Sequence, residues 1–159
     1  MKNSILLYFV VISFGFSSCN WLPPSPNEPF YCKVNGKKYR PQKTDFVSLK
    51  ATWNSKDGSL YISTRNSPQE IGLFIFMKNK ELSISDYTLS NDKLATKGLY
   101  TPNNGEIPSQ NLISTSGNVS ITKVEGYNIW GTFEFTCKST KTGTEYNITK
   151  GEFNNLSYY

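Results

Sequence analysis

Residues 119–153 read VSITKVEGYNIWGTFEFTCKSTKTGTEYNITKGEF, three alternating runs separated by two turn signals, Glu125-Gly126 and Thr142-Gly143. Val119 and Ile121 share a face of the first run, Ile129, Phe133, Phe135 and Cys137 a face of the second, and Tyr146 and Ile148 a face of the third, with Ser, Thr, Glu and Asn between them. A period of two is the signature of half-buried strands, not of a helix. The apolar parity of Tyr146 and Ile148 passes to that of Phe153 across Lys150-Gly151, the switch that a β-bulge at Gly151 produces.

Working outward, the same grammar recurs. Residues 30–34 alternate, and Asn35-Gly36 then supplies the two positive-φ positions of a type I′ hairpin turn. Residues 37–40, 46–53 and 60–65 continue a meander with a second turn at Asp57-Gly58. Residues 71–77, IGLFIFM, are apolar on both parities, which predicts a strand covered on both faces, either central in a sheet or bent between two sheets at Gly72, a buried helix being the competing reading. Two further short pieces, 84–89 and 98–100, precede the turn-rich residues 101–111, a candidate rim for any binding site. The expected fold is all-β, an antiparallel β-sandwich or flattened barrel of about eight to ten strands.

The N-terminus carries an address. Lys2 precedes an apolar run over residues 5–16 that is too short for a bilayer span and ends in Ser17-Ser18-Cys19. The expected organisation is a lipoprotein signal peptide over 1–18, a lipidated proline-rich tether over 19–29 and a single all-β domain over 30–159. Cys19 is the expected point of lipid attachment, and through that lipid the membrane is the expected partner. The other reading of this segment is an ordinary secretory signal cut near Ser18. The net charge of +5 is dispersed without a basic run and gives no case for nucleic acid.

Chemistry is sparse. The chain has no histidine, which removes Ser-His-Asp and Cys-His catalysis and the commonest metal ligand. No metal, cofactor or catalytic residue is expected. Cys32 and Cys137 both point inward, leaving two readings: a Cys32–Cys137 disulfide of an exported domain, or two separate buried thiols acting as apolar fillers. Glu134 and Glu145, outward on neighbouring strands, are the best carboxylate pair for a glycosidase. Trp130 and Tyr61, on the parity opposite to their apolar neighbours, are candidates for a stacking surface that takes a sugar or a partner protein.

The lipobox at Cys19, Phe30 with Val34-Asn35-Gly36-Lys37, the strand at Val119-Ser120-Ile121-Thr122, Gly131-Thr132-Phe133-Glu134-Phe135-Thr136, and Asn147-Ile148-Thr149-Lys150-Gly151-Glu152-Phe153 together resemble a family of small lipoproteins from Bacteroidota that carry a domain of unknown function. The resemblance implies an all-β fold and an envelope location, lipid-anchored at the outer membrane, and brings no active site. The leading expectation is a non-enzymatic, membrane-tethered module that binds a glycan or an envelope protein. The alternatives are a lipocalin-like carrier of a small apolar ligand, with Phe74 or Phe76 lining its cavity, and a glycan-acting hydrolase using Glu134 and Glu145.

Overall fold

Inward-facing residues at every second position need a second surface to pack against, and this chain provides it by curling one sheet upon itself. The computed structural model describes residues 28–42, 48–92, 95–102 and 111–159. Cys19, most of the tether and residues 103–110 lie outside the described residues.

Ten strands follow in chain order: β1 (Phe30–Val34), β2 (Lys37–Tyr39), β3 (Leu49–Asn54), β4 (Ser59–Asn66), β5 (Gln69–Phe76), β6 (Ser85–Thr88), β7 (Lys97–Thr101), β8 (Leu112–Glu125), β9 (Asn128–Lys138) and β10 (Glu145–Ser157). Their order in the sheet is β2-β1-β10-β9-β8-β7-β5-β4-β3, with β6 paired to β8. All these pairings are antiparallel. No described residue is helical. The arrangement is a curled half-barrel, the flattened-barrel form of the expected fold.

The curl has a local cause. The register of β10 against β9 shifts between Ile148 and Gly151 and again between Phe153 and Leu156, and that of β8 against β9 shifts between Ser114 and Ser116 and between Ile121 and Lys123. Lys150 and Asn155 take φ of 52° and 50° at the β10 irregularities. Bulges bend a strand and sharpen its twist, so four of them in the two long strands that flank β9 roll the sheet. The bulge expected at Gly151 is therefore one of four.

The rolled sheet nearly meets itself. Ala51 of β3 bridges Tyr158, and the Trp53 N–H donates to the Tyr159 carbonyl at 3.0 Å. The β1–β2 hairpin fills the remaining gap, turned by Asn35 and Gly36 at φ of 47° and 79°. Only glycine adopts the second of these without strain.

The interior is packed with Phe30, Leu60, Ile62, Leu73, Ile75, Ile121, Ile129, Phe133, Phe135, Ile148 and Phe153, all buried. Three of the rings pack closely against a glycine: Phe153 against Gly131, Phe133 against Gly151 and Phe135 against Gly98. Each glycine clears the space that a large ring then fills, so the core stays dense where the strands curve most.

β5 lies between β4 and β7, as its two-sided apolar run requires. Ile71, Leu73 and Ile75 point into the core, and Phe74 and Phe76 are half-buried on the opposite parity. Phe74 and Phe76 thus do not line the interior, as the carrier reading expected. The side chains that β5 does send inward are aliphatic.

Candidate binding site

Period-two geometry sends Tyr39 of β2, Tyr100 of β7 and Tyr146 of β10 inward at one end of the half-barrel, and the curl brings these three strands around a common space. Tyr39 and Tyr100 are almost wholly buried, and Tyr146 is half-buried at the mouth. The Tyr100 and Tyr146 rings tilt against each other at 56°, 5.1 Å between centroids. Gln69 Nε2 donates to the Tyr100 hydroxyl at 3.0 Å, and the Tyr39 hydroxyl donates to the Thr64 carbonyl at 3.2 Å. That second bond ties β2 to β4 across the opening that the sheet path leaves.

Tyr39, Gln69, Tyr100 and Tyr146, with Val34 and the rim residues Asn35, Lys37 and Lys38, line an open pocket of about 290 Å³, near the lower bound for small-ligand sites. Its rim is held by the hairpin turn: the Asn147 N–H donates to Asn35 Oδ1 at 2.7 Å, and Asn35 Nδ2 donates to the Glu145 carbonyl at 3.4 Å. Burial pushes the Tyr100 hydroxyl up to about 12, reinforced by Tyr146 beside it, and raises Tyr39 further for the same reason. Both hydroxyls stay protonated at neutral pH. The pocket therefore offers the half-buried Tyr146 ring and the Gln69 amide above a floor of almost wholly buried tyrosines, with two ammonium groups at the entrance.

Two other hollows are less developed. One of about 180 Å³ lies between Phe30, Pro41 and Leu49 beside the Glu28–Arg40 ion pair. The other, of about 30 Å³, lies beside Tyr61 and Asn111. Among the described residues no group of three or more Cys, Asp or Glu is placed to hold a metal ion.

The residues singled out from sequence are dispersed. Glu145 stands opposite Lys138, and Glu134 lies four residues up the same strand. At about 3.3 Å per residue that is roughly 13 Å along the strand, beyond either carboxylate spacing of a glycosidase. The two do not form a pair. Trp130 points outward as expected, half-covered by Lys123, whose Nζ lies 4.5 Å from the ring centroid. Tyr61 also points outward and is 39% exposed. However, β8, β7 and β5 separate their strands, so they make no single patch.

Cys32 and Cys137 are inward and fully buried, and both are free thiols. The disulfide reading is not met, because β10 lies between their strands. Cys137 faces Tyr146, whereas Cys32 sits where β1 crosses the Thr149 to Glu152 level of β10. Two strand spacings and at least three residues of offset put on the order of 14 Å between the Cα atoms, against roughly 4.4–6.8 Å for a disulfide. Burial also raises both thiol pKa values, Cys137 to about 12. The folded protein is expected to show no thiol reactive toward a water-soluble disulfide reagent at pH 8 from these two positions, and both on unfolding in urea. A bridged pair would instead stay silent after unfolding.

Sequence reasoning did not find the pocket. Tyr39, Tyr100 and Tyr146 each read as ordinary inward aromatics of separate strands; the only signal was that each carries a hydroxyl on a core parity, where a phenylalanine would serve packing alone.

Fold and pocket together define an antiparallel half-barrel with a polar, tyrosine-floored cavity at one end. A family described as a domain of unknown function, DUF6252, matches residues 30–157, and the chain belongs to that family. No curated protein and no solved structure matches it.

Proposed function

We propose that this chain is a non-enzymatic, lipid-anchored binding module of the bacterial cell envelope, and that the pocket floored by Tyr39, Tyr100 and Tyr146 is its ligand site. The observation that carries the reading is the convergence of three tyrosines and Gln69 from four different strands on one open space. Rings offer flat faces to the C–H surface of a sugar, while hydroxyl and amide groups satisfy its hydroxyls. A glycan is therefore the ligand class that suits the lining best. An entirely apolar ligand would leave the Tyr146 hydroxyl at the mouth without a partner, which costs on the order of 1–3 kcal/mol where that group is taken out of water. The anchor is the lipid on Cys19, and the tether over 19–29 joins it to the domain.

The test is titration of the purified domain-bearing protein with envelope glycan fragments, wild type beside Tyr146→Ala and Lys37→Ala/Lys38→Ala. Tyr146 is half-buried at the mouth, so its truncation is expected to lower affinity by at least about tenfold, corresponding to about 1.4 kcal/mol, with thermal stability little changed. Binding that survives both variants unaltered defeats the assignment of this pocket.

A further inference from the structure

The pocket and the point where the chain enters the domain lie at opposite ends of the half-barrel. β1 runs toward the pocket, from Phe30 opposite Phe153 to Val34 opposite Ile148. The chain therefore arrives from the other end, where the Asn154 N–H and side-chain amide donate to the Pro29 and Glu28 carbonyls at 3.0 and 3.4 Å. Past the end of β10 at Ser157 come Tyr158 and Tyr159, and the Tyr158 N–H donates to the Tyr127 carbonyl of the β8–β9 turn at 2.9 Å.

That end carries large exposed apolar side chains among its charged ones. Tyr127 is 77% exposed, Tyr159 69% and Ile84 64%, the three most exposed large hydrophobic side chains among the described residues. Ile84 immediately precedes Ser85, which pairs with Ile121 on the stretch of β8 leading to the turn. The cluster is built rather than incidental: the Tyr127 ring meets Tyr158 edge-on at 6.1 Å, and the Tyr158 hydroxyl donates to the Gly126 carbonyl at 3.1 Å. Lysine ammonium groups cap the neighbouring rings, Lys50 over Tyr159 at 5.1 Å and Lys123 over Trp130 at 4.5 Å, the latter also paired with Glu125. Tyrosine, tryptophan and lysine side by side is the composition that settles at the headgroup level of a bilayer, rings in the interface and ammonium groups toward phosphate.

We infer that this tyrosine-bearing end is a membrane-docking surface: the domain rests on the bilayer through Tyr127, Tyr158, Tyr159 and Ile84, with the pocket facing away from it. The inference rests on lipid attachment at Cys19. From there to Glu28 an extended chain spans at most on the order of 30 Å, so the anchored domain is never far from the headgroups. Its entry side is the side nearest to them. The occupant is the lipid surface itself, and docking fixes the pocket mouth outward, toward soluble or wall-bound ligand.

The test uses the full lipidated protein in vesicles of phosphatidylethanolamine and phosphatidylglycerol. Single nitroxide labels are placed through Tyr127→Cys, through Ile84→Cys, and at the pocket end through Lys141→Cys; the buried Cys32 and Cys137 are left in place. Intact mass and vesicle flotation are read first. With docking, the labels at 84 and 127 gain collisions with oxygen and lose collisions with an aqueous paramagnetic relaxer several-fold on adding vesicles, and the label at 141 does not change. If the protein carries acyl mass and floats but all three labels stay equally water-exposed, the docking surface is wrong and the anchor stands. Absence of acyl mass and flotation removes the anchor, and the inference with it. Immobilisation of the labels at 84 and 127 without vesicles means a protein contact at this end, and also overturns it.

Discussion

Gly131→Ala is expected to destabilise the fold by about 3 kcal/mol or more, at the upper end of what overpacking costs. A methyl at Gly131 collides at once with the Phe153 ring edge and with the Ser120 carbonyl of β8. The ring could turn aside only by leaving the core, and the carbonyl belongs to the β8–β9 ladder. Neither relaxation is free, because Phe153 is fully buried and packs where the bulged part of β10 crosses β9. Gly126→Ala is the matched control. Its φ of 57° makes alanine unfavourable, but no atom stands within 4 Å of the added methyl. There the loss is the backbone cost alone, roughly 1–2 kcal/mol. Urea denaturation followed by circular dichroism measures both. Equal losses at 131 and 126 contradict the packing account.

A second large effect is expected in alkali. Cys32, Cys137, Tyr39 and Tyr100 all have raised pKa values, burial being the leading cause for each. In the unfolded chain they lose protons near their ordinary values, 9.0 for the thiols and 10.0 for the phenols. Above those values the unfolded state binds fewer protons than the folded state, so stability falls as pH rises. The contribution is complete below about pH 9. It then declines by up to about 1.4 kcal/mol per pH unit for each group until the folded protein also ionises. The urea midpoint should hold between pH 7 and 8.5 and drop steeply from pH 9 to 11. Cys32→Ala/Cys137→Ala should flatten the part that begins near pH 9, from a lower starting stability. A midpoint unchanged up to pH 11 would show that these groups are solvated in the folded state.

The sequence carried the strands well because their burial is one-sided. Val119, Ile121, Ile129, Phe133, Phe135, Ile148 and Phe153 alternate with polar residues, and each points inward as its parity requires. Turn chemistry was equally local, as Asn35 and Gly36 show. What parity leaves open is which strand lies beside or across from which. It placed Cys32 and Cys137 on the inner face but could not insert β10 between them. It placed Glu134 and Glu145 outward but not four residues apart in register. For Phe74 and Phe76 it was silent, since β5 is apolar on both parities and only its neighbours decide which side is core. The pocket was hidden for the same reason: Tyr39, Tyr100 and Tyr146 belong to strands that meet only after the sheet has rolled.

The first strand of the described domain is paired with the last, with the Asn35 side chain bonded to Asn147 across 112 residues of chain. Native contacts so remote in sequence form slowly, since a long loop must close before they repay its entropy. A ribosome that has not yet made β10 holds a chain whose β1 and β9 both lack the neighbour that joins them. Such a chain cannot complete its core before β10 is made. This topology thus holds folding back until the last of the ten strands has emerged.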